Sequence, residues 1–296
     1  MTAFLQFIID WLSLGSAYAL MALGLVIVFG ILRLVNFAYG ELLMVAGYTL
    51  FLLKGSPMPW LVMAVIAVCM AIFTGILTDY VAFRPVRAKS VTAVLITSFA
   101  FSTLLQNAAL LFISPRPRNV PLPDIFSDTV VLLGVFVPVR NLLTIGLALA
   151  LFAIFALLMK KTIFGIAMRA AASHFTMARM LGVPANLIIS GAFAISGLLA
   201  GVVALVWIGR IGAVVPGIGL EPLLIAFIAT VVGGMRSLQG AVLGGFILAF
   251  IDMGLNFTLP QDLLKFRDAF TFTAVILILL WRPEGLIKGP ATGRRV

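Results

Sequence analysis

Charged residues are scarce in this 296-residue chain, at 10% of positions against 63% apolar residues. A soluble globular domain has about 25% charged and about 45–50% apolar residues. No water-soluble core of this length buries so much apolar surface, so lipid must solvate the excess. The apolar stretches run along the whole chain and leave no room for an appended soluble domain. We therefore interpret residues 1–296 as a single transmembrane domain.

Side chains that could act in catalysis or bind a metal ion are equally few. The chain has one histidine, His174, and one cysteine, Cys69, which lies in an apolar run and is expected to be a packing residue. It has no metal-ligand cluster, no Ser/His/Asp set and no G-x-x-x-x-G-K-[ST] sequence for nucleotide phosphates. Asp79 and Asp252 are isolated acids that we expect to be hydrated or hydrogen-bonded. We expect a protein that is not an enzyme and has no cofactor.

The net charge of +10 does not indicate a nucleic-acid partner. The basic residues lie in loops between apolar runs, and no basic stripe with interleaved exposed aromatics is present. Membrane proteins carry such an excess of Lys and Arg in their cytoplasmic loops. The charge therefore predicts a membrane protein in contact with lipid and without nucleic acid.

Nine apolar segments are candidates for membrane helices. They are residues 11–32, 41–53, 60–82, 93–113, 141–159, 187–209, 221–234, 240–256 and 269–281. A spanning helix needs about 20 apolar residues, so segments 41–53 and 221–234 are too short to cross an undistorted bilayer. Tilted or broken helices would explain them. The predicted fold is an all-α polytopic transmembrane helical bundle with about 8–10 membrane segments.

The basic loops predict the orientation. Loops 83–89 and 160–186 are basic and free of acids, and the tail after residue 281 is basic, so these should face the cytoplasm. Loops 114–140 and 256–268 mix both charges and should face outward. The number of segments between the loops then places the N-terminus outside the cytoplasm and the C-terminus inside. Loop 114–140 is rich in proline, and either caps the helices or docks a partner.

Polar residues interrupt the apolar context of residues 28–48. An ionisable or amide side chain at membrane depth costs a few kcal/mol unless it is paired or hydrated. An interfacial turn with Arg33 at the lipid headgroups would explain part of the pattern. For Asn36 and Glu41 we favour a position facing a cavity, because unwound backbone at depth is tolerated only against protein or water. Candidate residues of a substrate pathway here are Asn36, Phe37, Tyr39 and Glu41.

A second unusual stretch, 219–245, adds Glu221, Gly233 and Gly234 to the pathway candidates. Close packing of helices is the alternative explanation for most of its glycines. VVGGMR at 231–236 is similar to VFGILR at 28–33, and a glycine-punctuated apolar run follows each. Membrane transporters are often built from paired repeats with the substrate route between them. The pattern predicts a two-repeat architecture.

The loop 160–186 contains an amphipathic stretch predicted to be a helix over 167–181, ended by Gly182 and Pro184. Its alanines and soft apolar side chains are suited to a groove on a partner protein. A helix lying on anionic lipid is the alternative, although the alanines would bury little there. The candidate docking residues are Arg169, Ala172, His174, Ala178, Met180, Leu181 and Gly182.

Five sequence motifs occur in order along the chain. They are SLGSAYALMALGLVIVFGILRLVNFAYGE near the start, FRPVR, MRAAASHFTMARMLGV, GGMRSLQGAVLGG and WRPEGL near the end. Over residues 13–286 the chain thereby resembles the permeases of branched-chain amino acid ABC importers, and among them the LivH type. It departs from the family at Tyr39, often a histidine there, at His174, often an acid, and at Arg236, usually a small residue.

The resemblance implies a permease subunit of an ATP-binding-cassette importer in the inner membrane. Such a subunit moves small polar solutes, branched-chain or other amino acids, by alternating access. Its partners would be a second, homologous LivM-type permease, two ATPase subunits and an extracytoplasmic solute-binding protein. The 160–186 loop would carry the coupling helix. A secondary transporter or channel for urea, an amide or an organic acid, without ATPases, is the alternative.

Overall fold

A computed structural model describes residues 2–87, 90–120, 122–123, 126, 128–132, 134–173, 175–283 and 285–287. The end of the basic loop 83–89 and His174 lie outside the described residues. The helices within them are α1 Thr2–Leu32, α2 Tyr39–Leu52, α3 Trp60–Thr78, α4 Val91–Phe112, α5 Val139–Lys161, α6 Ile163–Ser173, α7 Phe175–Met180, α8 Ala185–Ile211, α9 Leu220–Gly233, α10 Leu238–Thr258 and α11 Arg267–Trp281. The strands are β1 Arg118–Asn119, β2 Thr129–Leu132, β3 Val135–Pro138 and β4 Ala213–Val214.

Among the described residues, six helices are long and apolar enough to cross a membrane: the main parts of α1 and α4, all of α5, α8 and α10, and α3 extended to Phe83. Each predicted segment coincides with a helix, and α2 and α9 have only 14 residues each. The predicted polytopic helical membrane fold is therefore confirmed. The first helix begins at Thr2 and not at residue 11, because Asp10 is accommodated by hydrogen bonds from Gln6 and Asn141.

The chain divides into two compact units, neither of which is continuous in sequence. Unit 1 comprises residues 1–26, 124–150 and 224–296, and unit 2 comprises residues 27–123 and 151–223. In unit 1 the backbone of Gly245 packs against Ala19, so α1 and α10 approach closely. The acid Asp252, isolated in sequence, accepts a hydrogen bond from Tyr18 at 3.0 Å and pairs with Arg267 at 3.1 Å. It is hydrogen-bonded, as expected.

The glycine-rich end of α9 in unit 1 is a tightly packed turn. A Cβ on Gly233 would overlap the carbonyl oxygen of Gly240. Ser237 caps α10 by accepting a hydrogen bond from the Gly240 amide at 3.0 Å. The amide of Leu286 donates to the Val232 carbonyl at 2.9 Å, so the described residues after α11 pack against this turn. Packing and capping therefore explain the polar turn between α9 and α10.

In unit 2, α3 and α8 pack through small residues. A Cβ on Gly75 would lie 2.6 Å from the Phe193 carbonyl oxygen, and one on Gly197 would lie 2.5 Å from that of Ala71. Both glycines are needed because each backbone lies directly against the other helix. Cys69 on α3, expected to be a packing residue, is exposed on this chain and does not pack into the chain's own core.

Two small antiparallel sheets involve the loop between α4 and α5. In unit 2, β1 pairs with β4, with Arg118 opposite Val214, and Val120 donates to the Gly212 carbonyl at 3.0 Å. In unit 1, β2 and β3 form a hairpin. The proline-rich loop is thus anchored at its start to the segment that connects α8 and α9.

Candidate functional site

The chain unwinds between α1 and α2 because of two local features. The last turn of α1 closes with the Arg33 amide donating to the Phe29 carbonyl at 2.7 Å, and exposed Arg33 adopts a positive φ of 56°. Asn36 then forms an Asx turn in which its Oδ1 accepts a hydrogen bond from the Ala38 amide at 3.0 Å. This turn starts the short helix α2 with Glu41 in its first turn.

Glu41 is buried, with 2% exposure, and is held by α4 of the same unit. Its Oε1 accepts hydrogen bonds from the Ser102 hydroxyl at 2.9 Å and from the Gln106 amide at 2.6 Å. Ser102 lies about halfway along α4, whose 22 residues match the roughly 30 Å thickness of a bilayer core. Glu41 is therefore a carboxyl group at the level of the middle of a candidate membrane span.

Further polar atoms on the same turn are buried without a hydrogen-bond partner among the described residues. They are Oε2 of Glu41, Nδ2 of Asn36 and the hydroxyl of Tyr39. Buried polar groups are nearly always hydrogen-bonded, so three such atoms within six residues need an explanation beyond packing. Their donors and acceptors are of the kind that binds water or a polar solute.

The starts of α2 and α9 touch through two glycines of unit 2. A Cβ on Gly40 would overlap the Gly219 carbonyl oxygen, and a Cβ on Gly219 would overlap that of Gly40. This contact brings the first turn of α9, with Glu221, to the level of Glu41. Glu221 and Phe37 are exposed, whereas Asn36, Tyr39 and Glu41 are buried.

Five pathway candidates from the sequence thus lie around the touching starts of α2 and α9: Asn36, Phe37, Tyr39, Glu41 and Glu221. Gly233 and Gly234 do not, because they lie at the opposite end of α9. Gly233 is required there by its contact with Gly240, and Gly234 adopts a positive φ of 111°. Those contacts explain both glycines without a pathway role.

Sequence reasoning missed Ser102 and Gln106, which bind Glu41. They stand four residues apart, and residues at that spacing share one helix face. A polar pair at this spacing within an apolar span could have indicated that this face of α4 meets a polar group. It could not indicate Glu41 as the partner, however, because 61 residues separate Glu41 from Ser102.

The described residues within the predicted helix 167–181 are helical up to Met180, in α6 and α7. His174, which stands between these two ranges, lies outside the described residues. Arg169 donates a hydrogen bond to the Met159 carbonyl, which ties α6 to the end of α5. Gly182 ends the helical region with a positive φ of 86°, as its position predicts.

Exposed apolar side chains in the described part of this loop include Ile163 and Ile166 in α6 and, after it, Met177, Met180 and Leu181. We call the last three the docking surface. Their exposures are 66%, 81% and 85%. Ala172 is half-buried, and Ala178 is buried within the chain at 5% exposure. A partner would therefore meet the docking surface and not Ala178.

No group of three or more His, Cys, Asp or Glu side chains that could hold a metal ion is present in the described ranges. The fold and its polar cluster define a class of protein: a polytopic helical membrane protein with polar side chains buried beside the middle of a candidate span. A family profile described as "Branched-chain amino acid transport system / permease component" matches residues 7–280. The chain belongs to this family.

Curated relatives match over nearly the full chain. The chain is 32% identical to the high-affinity branched-chain amino acid transport system permease protein BraD of Pseudomonas aeruginosa, covering 97% of this chain and 96% of the relative. Identity and coverage are the same for the permease protein LivH of Escherichia coli. The probable permease protein LivH of Methanocaldococcus jannaschii is 28% identical, over 92% of this chain and 89% of the relative. No solved structure matches the chain.

Proposed function

We propose that this chain is the membrane-spanning permease subunit of an ATP-binding-cassette importer in the cytoplasmic membrane. It would move branched-chain or other amino acids inward by alternating access, as one permease domain over residues 1–296. The observation that carries this proposal, beside the family, is the polar cluster where the starts of α2 and α9 touch. Transporters bind their substrates near the bilayer midplane at such discontinuous helices.

The exposure of Glu221 supports a solute pathway beside this cluster. A carboxylate facing lipid near the middle of the bilayer costs about 2.5–3.5 kcal/mol or more. Glu221 lies at the depth of Glu41 and is exposed on this chain, so we place it against a water-filled pathway or the second permease. An amino acid offers an ammonium group to the carboxylate and an apolar side chain to nearby Phe37.

The docking surface supports a second part of the proposal, the ATPase partners. A cluster of exposed apolar side chains in a loop between spans is suited to a groove on another protein. We assign it to two ATPase subunits, with a homologous permease and an extracytoplasmic solute-binding protein completing the importer. ATP binding would shift the permease between states by favouring one of them.

Reconstitution tests the function directly. The complex carrying the tagged chain is purified from its own membranes, its subunits are identified, and it is placed in proteoliposomes with labelled leucine, isoleucine or valine. We expect ATPase subunits and a second permease to co-purify, and uptake to require hydrolysable ATP. A non-hydrolysable ATP analogue is the matched control. Uptake by the chain alone without ATP would contradict the proposal and favour the secondary transporter or channel.

A further inference from the structure

A buried acid at the end of α3 contacts two separate segments of unit 2. Asp79 has 1% exposure and is the first residue of a π-helical turn, Asp79–Phe83. The Ser190 hydroxyl on α8 donates a hydrogen bond to its Oδ2 at 2.6 Å. On the other side, Nη1 of Arg87 lies 3.7 Å from its Oδ1.

Arg87 extends the cluster to the first turn of α8. Its Nη2 donates a hydrogen bond to Oδ1 of Asn186. Burial lowers the pKa of Arg87 and the Asp79 carboxylate acts in the opposite direction, while an arginine begins so high that its guanidinium stays charged. Asp79, Arg87, Asn186 and Ser190 together are here called the loop joint.

The loop joint lies where the docking helices end. α7 ends at Met180 and α8 begins at Ala185, one residue before Asn186. The ring of Phe164 in α6 covers Gly191, where a Cβ would lie 2.5 Å from Cε2 of the ring. Gly191 directly follows Ser190, so α6 packs on the same turn of α8 that binds Asp79.

Apolar packing continues from this turn to α3. The rings of Phe83 and Phe193 pack edge to face with centroids 4.9 Å apart. Gly75 lies against the Phe193 backbone. Close-packed interfaces of this kind transmit displacement because they deform little. A shift of α6 would therefore reach α8 first, and then α3 through this packing together with the loop joint.

We propose that Asp79, Arg87 and Asn186 are positioning residues that make α3 follow the docking helices when the ATPases close. This role rests on the proposed function of an ATP-driven importer. The loop joint is suited to it because a buried carboxylate is strongly destabilised without its charged partner, so separating the two segments is costly. Without the joint, only the apolar packing links α8 to α3, so ATP is hydrolysed while α3 follows the docking helices less closely.

The test is the ratio of ATP hydrolysed to solute taken up, measured with the complete complex in proteoliposomes and labelled leucine. For Arg87→Gln we expect hydrolysis to stay within about twofold of the unchanged complex and uptake to fall about tenfold, within the range of known coupling energies. A side chain that only stabilised the fold would lower both activities together. Arg87→Lys, which keeps a charge near Asp79 but loses the planar donor to Asn186, should be intermediate.

Arg84→Gln is the matched control, because it removes the same charge from the same loop. The guanidinium of Arg84 is exposed and lies over the Tyr80 ring, 5.3 Å from its centroid, and not against Asp79. This variant should keep the ratio of the unchanged complex. A rise in the ratio equal to that of Arg87→Gln would overturn the proposal, because loop charge and not the joint would then be responsible.

Asn186→Ala tests the same role if the complex that carries Arg87→Gln does not assemble. Asn186 is exposed, and its removal leaves the Asp79–Arg87 pair in place. We expect a smaller rise in the ratio, in the same direction. An unchanged ratio in this variant, or a parallel loss of both activities in Arg87→Gln, would overturn the role of the joint. Absence of ATP-dependent uptake by the unchanged complex would instead overturn the proposed function, and this role with it.

Discussion

At the scale of single residues, two carboxyl groups at one depth have different surroundings. Glu41 is buried and held by Ser102 and Gln106, whereas Glu221 is exposed beside the Gly40–Gly219 contact. Because the Glu41 carboxylate accepts two hydrogen bonds from α4, it serves to hold α2 against α4. An exposed group at this depth is the better candidate for direct contact with a solute.

Replacing Glu221 with Gln tests that assignment. We expect the KM for leucine uptake to rise about tenfold, since a hydrogen bond to a charged group contributes about 1.5–3 kcal/mol. The amount of inserted protein should change little, because Gln keeps the size of the side chain and its capacity for hydrogen bonds. Initial uptake rates over a range of leucine concentrations provide the measurement. Glu221→Asp is the control that keeps the charge, and an unaltered KM in Glu221→Gln would place the solute elsewhere.

At the scale of helices, the chain contains short helices whose lengths the sequence indicated correctly. α2 and α9 are too short to span, and each follows a break that Asn36 or Gly219 helps to form. The similar stretches 28–33 and 231–236 also end helices, since α1 closes at Leu32 and α9 at Gly233. A two-repeat architecture stays a prediction. Each stretch contains one residue with positive φ, Arg33 in the first and Gly234 in the second.

The docking surface makes a prediction about α7 and the residue after it. Leu181→Glu should leave insertion of the chain unchanged and remove the ATPase subunits from the purified complex, because a charge would be buried in the apolar contact. Co-purification of tagged chain and ATPase is the measurement. Leu181→Met, which keeps apolar volume, should retain the partners.

Ala178→Glu provides the contrast within the same segment. Ala178 is buried in the chain itself, so this change should lower the yield of folded protein whether or not a partner is present. If Leu181→Glu instead kept its full complement of ATPase, the docking surface would have to lie elsewhere on the loop.

At the scale of the whole molecule, the loops predict an orientation that labelling can check. In a Cys69→Ser background, a cysteine at Arg116 should react with a membrane-impermeant maleimide on intact cells. A cysteine at Lys161 should react only after permeabilisation. Both positions are exposed, so access depends on the side of the membrane and not on packing. Labelling at position 161 on intact cells, and at position 116 only after permeabilisation, would contradict the proposed orientation.

The sequence by itself determined the class of the protein. With 63% apolar and 10% charged residues, lipid is the solvent that suits it, and apolar runs bounded by basic loops mark the helices and their expected direction. Composition, apolar runs and loop charges are local or additive along the chain, so they can be determined without knowing how the helices pack. The five ordered motifs likewise pointed to the family that the whole-chain comparisons establish.

Only the tertiary structure decided which polar groups meet. Glu41 binds Ser102 across 61 positions, and Asp79 binds Ser190 across 111. It also decided that Ala178 lies inside the chain while Leu181 lies outside, although both belong to one amphipathic stretch. The physical reason is that these contacts depend on how separate helices pack. Helical period gives the face on which a side chain lies, and the neighbouring helix decides what that face meets.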